Sequence, residues 1–316
     1  MKLDNIDKLI IGTRSSPLAL AQTQLVVDEL EKTFPSITEV IQVKKIKVSG
    51  DKYKNKPLRN IGGKSLFTKE IDQALLDNKI DIAVHSMKDV DSIIPSGLLT
   101  AAVIEREDPR EFLLSKTAKN IESLDDDAII GTSSLRRKAQ LQNKKPRLTF
   151  VELRGNILKR IEKFNLGEFD ATILAYAGLK RLGISANGFL IELDSMLPCL
   201  AQGIIGLTVS EKNYQVREIV SKINHQNTFN ELNCERALLT SLGATCNTPV
   251  SGLAKINNDQ IFLQSEVYSL DGRDSYSTQI EGKVADAEFI GSEAGKKLIN
   301  LTPKRIIESW KRTSLF

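Results

Sequence analysis

Two pairs of segments repeat in the same order along this chain, and the repeat restricts the folds that the chain can adopt. The segment "LIIGTRSSPLALAQ" at residues 9–22 is echoed by "AIIGTSSLRRKAQ" at 128–140. Later, "KIDIAVHSMKD" at 79–89 is echoed by "EFDATILAYAGL" at 168–179. Each copy joins a short apolar run to an amphipathic stretch, which is the pattern of a strand followed by a helix. We therefore predict two α/β lobes of one architecture.

The order of strands and helices also predicts the domains. Over the first two thirds of the chain, strand and helix patterns alternate, which predicts a parallel sheet with helices on its faces. After about residue 225, a helical run, alternating segments with a turn at Asp271 and Gly272, and two closing helical stretches predict a small α+β domain. The predicted boundaries are 1–104 plus about 200–222 for the first lobe, 105–199 for the second lobe, and 223–316 for the third domain.

Composition excludes several classes of protein. With 316 residues, 41% hydrophobic and 27% charged, the chain is expected to be globular and soluble, and no apolar run is as long as a membrane span. The N-terminus lacks the basic start and long apolar middle of a secretory signal. The three scattered cysteines argue against a disulfide framework, and the presence of only two histidines argues against a zinc site.

Basic residues are concentrated in one segment. Between Arg136 and Lys163 there are ten Lys and Arg residues against Glu152 and Glu162. A solvated basic face, a nucleic-acid site and a site for a small polyanion all fit this run. Because Phe150 is the only aromatic residue there, stacking of single-stranded nucleic acid is the weakest of these readings.

Both echoed segments predict a site for an anion. In each, a strand runs through Gly-Thr into serines at a helix start, where backbone N–H groups and the helix dipole attract negative charge. Arginines accompany these turns and the later strand ends, and their planar forks suit carboxylates and phosphates. Ordinary serine capping with surface arginines is the alternative interpretation. The basic residues concerned are Arg14, Arg136, Arg137, Arg154, Arg160, Lys180 and Arg181.

Three further features carry chemically useful groups. In "VHSMKDV", Asp89 lies beside Lys88 after a strand, where it could move protons or stabilise a developing cation. The alternative, which the heptapeptide alone favours, is a helix-capping aspartate with a solvent-exposed lysine. The glycine-bearing "RNIGGKSLF", with Lys64 and Phe67, lacks the spacing of a phosphate-binding P-loop and could form a lid. In "LGATCNTPVSG", Cys246 stands alone among small and turn-forming residues.

Taken together, seven motifs in family order resemble hydroxymethylbilane synthase, the porphobilinogen deaminase family. They are "GGKSLFTKE", "HSMKD", "EREDPR", "IIGTSSLRR", "LRGNILKR", "LAYAGLKRLG" and the late cysteine loop. The resemblance implies two similar periplasmic-binding-protein-like lobes with a cleft between them, plus a small α+β C-terminal domain. It also implies that four porphobilinogens are condensed head to tail with loss of ammonia, and that the linear tetrapyrrole is then released by hydrolysis.

The resemblance implies a role for each matching residue. Cys246 would hold a dipyrromethane cofactor through a thioether, and Asp89, with Lys88, would be catalytic and stabilise the azafulvene that forms as ammonia leaves. The implied cofactor ligands are Ser86, Lys88, Asp89, Thr132, Ser133, Ser134, Arg136, Arg137, Arg154 and Gly155. The implied substrate-binding residues are Arg14, Ser16, Gln22, Lys64, Phe67, Arg154, Arg160 and Arg181. Cys199 and Cys234 are expected to be structural.

The chain departs from the family pattern at two places. Ala244 and Thr245 stand where the family usually has two glycines before the cysteine, and Ala201 stands where a glycine is common. Non-glycine residues restrict the positive-φ conformations that glycine permits. We therefore expect any effect of these departures to be on loop conformation, since neither removes a reacting group.

Two other classes of function are alternatives to the synthase. A non-catalytic two-lobed protein that binds anionic solutes would have the same lobes and anion sites, but the absent export signal, Asp89 beside Lys88 and the lone cysteine favour the enzyme. A nucleic-acid-binding protein would use the basic segment, but cations at strand ends indicate a cleft. We expect a monomer that acts on porphobilinogen and the growing polypyrrole chain without nucleic acid or membrane. It is expected in the cytoplasm, or inside an organelle after removal of a transit peptide.

Overall fold

The computed structural model describes residues 7–52, 68–245 and 248–313. The predictions made for Lys64, Phe67 and Cys246 lie outside the described residues.

The described residues form helices and strands in the following order. Up to residue 115 these are β1 (Leu9–Arg14), α1 (Pro17–Thr33), β2 (Ile41–Ile46), α2 (Ser49–Lys52), α3 (Lys69–Leu76), β3 (Ile82–Ser86), β4 (Leu98–Val103) and β5 (Glu111–Ser115). Next come β6 (Ile129–Gly131), α4 (Leu135–Lys144), β7 (Thr149–Val151), α5 (Ile157–Asn165), β8 (Ala171–Ala175), α6 (Tyr176–Arg181), β9 (Gly188–Ile191), β10 (Ile205–Ser210) and α7 (Tyr214–Ser221). The last are α8 (Gln226–Leu242), β11 (Val250–Asn257), β12 (Gln260–Tyr268), β13 (Ser275–Lys283), α9 (Ala287–Leu301) and α10 (Lys304–Thr313).

The chain divides into two compact units. Among the described residues, the first unit contains 7–52, 68–107 and 203–229, and the second contains 108–202 and 230–313. The second unit therefore includes most of the predicted second lobe and of the predicted third domain, whereas residues 105–107 and 223–229 belong to the first unit. The three-part domain boundaries stay a prediction.

Each unit contains a sheet of the same design. The described strands of the first unit have the order β2-β1-β3-β10-β4, and the equivalent sheet of the second unit has the order β7-β6-β8-β5-β9. In each sheet the fourth strand, β10 or β5, is antiparallel to both neighbours. The prediction of paired α/β lobes is confirmed by this matching strand order. The predicted parallel pairing is present between the first three strands of each sheet, and one antiparallel strand is inserted after them.

The sequence repeat corresponds to a repeated pair of hydrogen bonds at the start of the central strands. In the first sheet Ile10 N–H donates to the Asp81 carboxylate (2.7 Å) and Asp81 N–H donates to the Ile10 carbonyl (2.8 Å). In the second sheet Ile129 N–H donates to the Asp170 carboxylate (2.7 Å) and Asp170 N–H donates to the Ile129 carbonyl (2.9 Å). The two echoes therefore occupy equivalent positions in two sheets.

Alternation of apolar residues lets each sheet bury both faces. Leu9 and Ile11 of β1 belong to one core cluster, whereas Ile10 between them packs against another. In β5, Leu113 faces one cluster, and Phe112 and Leu114 face the other. This is the period of two that a strand imposes on side-chain direction.

Helix α1 begins as its sequence predicts. Ser16 is the N-cap, its hydroxyl oxygen accepts the N–H of Ala19 (3.3 Å), and Pro17 is the first helical residue. Capping of this kind contributes about 0.5–2 kcal/mol. The helix start is thereby fixed at the end of β1, where Arg14 lies.

The C-terminal part of the second unit is a three-stranded antiparallel sheet in the described residues, of order β11-β12-β13, with helices packed on it. Helix α9 lies close to α8 because Gly291 has no side chain: a Cβ there would collide with the Cys234 carbonyl. Cys234 is buried, and burial, followed by the charge of Glu235, raises the pKa of its thiol to about 12. This cysteine is therefore an unreactive core residue, as expected.

The segment that leads from the second unit back into the first contains a strained residue and an obligatory glycine. Ala201 has a φ of +60°, a left-handed conformation that favours glycine. The alanine that stands here in place of the family's common glycine is therefore strained. Ala244 and Thr245 are not among the described non-glycine residues with positive φ, so no such strain attaches to them. Gly203 has a φ of +88°, and a Cβ there would collide with the Glu107 carbonyl oxygen.

We predict that Gly203→Ala lowers the free energy of unfolding by more than about 2 kcal/mol, since it adds a collision with backbone to the cost of a left-handed conformation. Gly183→Ala is the matched control, because Gly183 also has a positive φ (+62°) but has nothing within 4 Å of a built Cβ. The control should lose only about 1 kcal/mol. Urea unfolding of both variants checks this, and equal losses would contradict it.

Candidate functional site

A polar pocket lies in the first unit at the carboxyl ends of β1 and β3. These strands are parallel neighbours, so the residues that follow them meet at one edge of the sheet. Arg14 ends β1, Ser86 ends β3, and Asp89 closes the 3-10 turn Met87–Asp89 that follows. The pocket is lined by Arg14, Ser16, Leu18, Ala19, Gln22, Thr68, Val84, His85, Ser86 and Asp89.

Five residues predicted from the sequence therefore come together here: Arg14, Ser16, Gln22, Ser86 and Asp89. The buried side-chain amide of Gln22 donates to the Ser86 hydroxyl (3.0 Å), which ties α1 to the end of β3. Asp89 is exposed and Lys88 is half-buried on the same turn. The pocket thus presents a cation, hydroxyls and a solvent-accessible carboxylate side by side.

His85 lines the same pocket and was missed as a candidate by sequence reasoning. It is 5% exposed, and its Nε2 lies 3.9 Å from Asp72 Oδ1. Burial, followed by the positive charge of Arg14, lowers the pKa of His85 to about 4, so its ring is neutral at physiological pH. Burial also raises the pKa of Asp72. The usable signal in the sequence was the position of His85 at the end of the apolar run "IDIAV", beside the motif residues.

A second group of predicted residues lies at the carboxyl edge of the second sheet. Strands β6, β7 and β8 are parallel there, so the segments after them share one edge. We call the residues at this edge the hydroxyl–arginine edge. Its members are Thr132, Ser133, Ser134, Arg154, Gly155, Asn156 and Arg160.

Hydrogen bonds hold the first loop of the hydroxyl–arginine edge against the second. Thr132 N–H donates to the Val151 carbonyl (2.9 Å), and the Ser133 hydroxyl donates to the Leu153 carbonyl (2.7 Å). The Ser134 hydroxyl caps α4 by accepting the Arg137 N–H (3.3 Å). These bonds fix the N-terminus of α4, whose positive dipole end faces the edge.

The second loop of the edge brings backbone and a cation close together. Gly155 has a φ of +111°, a conformation that side chains other than glycine rarely adopt. Asn156 caps α5 by accepting the Lys159 N–H (2.9 Å), and Arg160 Nε donates to the Gly155 carbonyl (2.9 Å). Arg154, which precedes Gly155 in the sequence, is half-buried.

Arg136 and Arg137 occupy a buried ionic cluster. Both guanidinium groups bond to the fully buried carboxylate of Glu111, with Arg137 Nη2 at 2.8 Å from Oε2. Arg136 Nη1 also donates to the Gln140 side chain (2.8 Å) and the Leu197 carbonyl (3.1 Å), and Arg137 Nη1 donates to the Ile173 carbonyl (2.7 Å). Their predicted role as cofactor ligands stays a prediction. The structure adds that both already have internal partners.

The last two cations lie on α6. Lys180 is exposed, and its ammonium lies 6.0 Å from the centre of the Tyr176 ring. Arg181 is half-buried at the end of this helix. Because α6 follows the carboxyl end of β8, Lys180 and Arg181 follow the same end of the parallel strands as the hydroxyl–arginine edge.

Two other kinds of site find no support in the part of the chain that the structure describes. No group of three or more His, Cys, Asp or Glu residues there could hold a metal ion. Nor does any of the helices described combine the length and apolar character needed to cross a membrane.

Comparisons with known proteins agree along most of the chain. Residues 9–218 match the family model for the dipyromethane cofactor binding domain of porphobilinogen deaminase, and residues 229–300 match the model for its C-terminal domain. A porphobilinogen deaminase of Rickettsia bellii (strain OSU 85-389) is 45% identical over 298 residues, covering 93% of this chain and 98% of that protein. The porphobilinogen deaminase of Rickettsia prowazekii (strain Madrid E) is 47% identical over 252 residues, covering 79% and 84%.

Among solved structures, the chain is similar to the crystal structure of the methionine-binding protein MetQ. The TM-score is 0.44 at 10% identity, covering 71% of this chain and 93% of that one.

We predict that His85 makes stability depend on pH. The unfolded chain binds a proton at this residue below about pH 6.5, whereas the folded protein binds it only near pH 4, so the unfolded state holds more protons between these values. The His85 contribution is complete above pH 6.5 and is lost as the pH falls to 4, a loss of about 3 kcal/mol.

Urea unfolding of the parent and of His85→Gln at about pH 7 and about pH 4.5 measures this contribution. The parent should lose more stability than His85→Gln between the two values, and His225→Gln is measured alongside as a second histidine-to-glutamine variant. Equal losses in the parent and His85→Gln would contradict the prediction. Arg14 and Asp72 face the ring and remain in all three proteins.

Proposed function

Because the chain belongs to the porphobilinogen deaminase family, we propose that its catalytic and binding roles are divided between the pocket of the first unit and the hydroxyl–arginine edge of the second. The chain is a transferase of tetrapyrrole biosynthesis. It joins four porphobilinogens head to tail with loss of ammonia on a dipyrromethane primer, and then releases the linear tetrapyrrole by hydrolysis. The observation that carries this conclusion is the match of both family models in sequence, over residues 9–218 and 229–300.

The described residues fit a ligand that carries many carboxylates. Each pyrrole of the primer and of the substrate has an acetate and a propionate, so the growing chain accumulates negative charge. The hydroxyl–arginine edge offers hydroxyl and guanidinium donors, a helix N-terminus and a glycine at φ +111° that lets backbone approach a ligand closely. When bound, the primer supplies the pyrrole carbon to which the first substrate is joined.

Asp89 is the proposed catalytic residue. Its carboxylate is exposed in a pocket that also holds Arg14 and Ser86, so a pyrrole ring can reach it. A carboxylate at this place accepts hydrogen bonds from pyrrole N–H groups and stabilises the positive charge that develops on the substrate as ammonia leaves. Lys88, next to it on the same turn, adds a cation for a substrate carboxylate. His85 is neutral and therefore adds no charge to the pocket.

The remaining residues are proposed to bind carboxylates of substrate and primer. In the first pocket these are Arg14, Ser16 and Gln22. On the second unit they are Thr132, Ser133, Ser134, Arg136, Arg137, Arg154, Gly155, Arg160 and Arg181. Within this set, Arg136 and Arg137 are buried against Glu111, which favours two roles for them. They fix the position of the hydroxyl–arginine edge, and they contribute positive charge close to it.

Cys246 is the proposed attachment point of the primer, through a thioether. The other two cysteines are poorer candidates, since Cys234 is buried and Cys199 is half-buried in the loop before Gly203. Lys64 and Phe67 are proposed to cover the substrate. We also propose that the protein acts as a monomer in the cytoplasm and binds no nucleic acid. The reading as a non-catalytic solute-binding protein is not favoured, because both family models match an enzyme.

We predict that Asp89→Ala folds normally and turns over porphobilinogen about 10²–10⁴-fold more slowly, since the developing charge loses its counter-ion. Glu105→Ala, which removes an exposed carboxylate of the same unit, is the control and should keep the parent rate. Steady-state assays with matched thermal unfolding curves make the comparison. A rate for Asp89→Ala within about threefold of the parent would remove Asp89 from the mechanism.

We predict that the intact mass of the purified parent exceeds its sequence mass by two linked pyrrole units, and that Cys246→Ser lacks this excess. Cys199→Ser is the matched control and should carry it. If the parent has no excess mass, porphobilinogen is added and the mass is measured again, since an apo-enzyme builds the primer from its own substrate. Covalent pyrrole on Cys246→Ser would refute the attachment point.

A further inference from the structure

Gln140 joins three separate elements of the second unit through its side-chain amide. It lies on α4, is 4% exposed, and its carbonyl oxygen accepts from Arg136 Nη1 (2.8 Å). Its amide nitrogen donates to the Leu197 carbonyl (3.1 Å) and to the Ser251 hydroxyl (3.3 Å). Both polar atoms of this side chain therefore have partners: one bond stays within α4, and the other two reach the Leu197 loop and β11.

The Ser251 end of this link fixes the beginning of β11. Ser251 is fully buried, and its neighbour Gly252 donates its N–H to the Pro198 carbonyl (3.0 Å). On the other side, the Tyr268 N–H donates to the Pro249 carbonyl (3.1 Å). The first residues of β11 are thus held both to the 197–198 loop and to β12.

The other end of the link reaches the hydroxyl–arginine edge. Arg136 is four residues before Gln140 on the same face of α4, and it shares Glu111 with Arg137. Arg137 in turn donates its backbone N–H to the Ser134 cap at the start of the helix. A displacement of Gln140 would therefore shift the first turn of α4, which begins after Ser134 of the hydroxyl–arginine edge.

The Gln140 link connects Ser251 on β11 to Arg136 near the hydroxyl–arginine edge, and Ser251 is five positions after Cys246 in the sequence. Five residues of extended chain span at most about 18 Å, so whatever fixes Ser251 limits the distance of the Cys246 sulfur from the edge. A primer attached at the cysteine and held by its carboxylates at the edge would be stretched or slackened by any shift of β11 against α4.

We propose that Gln140 is a positioning residue for the condensation reaction, which sets the distance between β11, the described strand that follows Cys246 in the sequence, and the hydroxyl–arginine edge. This inference rests on the proposed attachment at Cys246. It assigns Gln140 no contact with substrate: the residue acts through Ser251 on one side and Arg136 on the other. Misplacement of reacting groups by about 1 Å can cost about 10²-fold in rate, so a modest shift is sufficient to affect turnover.

Asn143 provides a matched control on the same helix. Its side-chain amide donates to the Gly272 carbonyl (2.8 Å), so it also joins α4 to the C-terminal sheet. Gly272, however, lies in the turn between β12 and β13 and not on β11. Asn143→Ala therefore removes a bond between the same two parts of the unit without touching the strand that follows Cys246.

The experiment compares holoenzymes of the parent, Gln140→Met, Gln140→Glu and Asn143→Ala. Gln140→Met keeps the length of the side chain but removes its polar atoms, whereas Gln140→Glu keeps an oxygen acceptor for Arg136. Intact mass reports primer loading and any partly extended chains on the enzyme, and steady-state assays give kcat and KM for porphobilinogen. Ser251→Ala, which changes only the far end of the link, is measured in the same way and carries the test if Gln140→Met does not fold.

We expect Gln140→Met to carry the primer with KM within about threefold of the parent, with kcat lowered about 10–100-fold and partly extended chains accumulating. Gln140→Glu should recover part of kcat, Ser251→Ala should lower kcat in the same direction, and Asn143→Ala should keep the parent kcat even where its thermal stability falls. Equal kcat in Gln140→Met and Asn143→Ala, or an undiminished kcat in Ser251→Ala, would overturn the proposal. Failure of the proposed attachment itself would instead appear as a parent protein that carries no covalent pyrrole even after incubation with porphobilinogen, or as covalent pyrrole on Cys246→Ser.

Discussion

The interior of the second unit depends on a single carboxylate shared by two arginines. Glu111 begins β5 with no exposed surface, and the guanidinium groups of Arg136 and Arg137 close over it. Removing one partner of a buried ion pair typically costs about 3–5 kcal/mol, because the remaining charge has no water to replace it. The cluster joins the inserted antiparallel strand to the helix that follows β6. The orientation of that helix, and of the hydroxyls at its N-terminus, therefore follows from an interaction between buried groups.

The two sheets have matching strand orders, but they present different chemical groups at their carboxyl edges. In both, parallel strands end at a common edge, and the segments that follow carry the polar groups. The first edge combines an arginine and hydroxyls with the exposed Asp89, above a neutral buried histidine. The second edge has hydroxyls, arginines and helix N-termini. The same strand order thus presents an exposed carboxylate at the first edge and several arginines and hydroxyls at the second, because the loops after the strands differ.

Local sequence determines much of this arrangement, and distant partners determine the rest. The capping of α1 by Ser16 and the start of α4 at Leu135 follow from neighbouring residues, and the structure contains both. Strands β5 and β10 were not predicted, because each is inserted between strands from another part of the chain. The burial of Arg136 was likewise not foreseen: its partner Glu111 is 25 positions away and carries no local signal. Local patterns also led to Arg14 and Asp89 but passed over His85, whose environment depends on packing.

The insertion of β10 makes the order of folding differ from the order of synthesis. Described strand β4 pairs with β10 and not with β3, so the first sheet waits for residues 205–210 before it can close. The described strands of the second sheet lie between residues 111 and 191, so they leave the ribosome before residues 205–210 are synthesised. The second sheet can therefore assemble while β3 of the first still has an open side. An unpaired apolar strand edge is a site of aggregation, so β3 carries this risk until β10 has been synthesised.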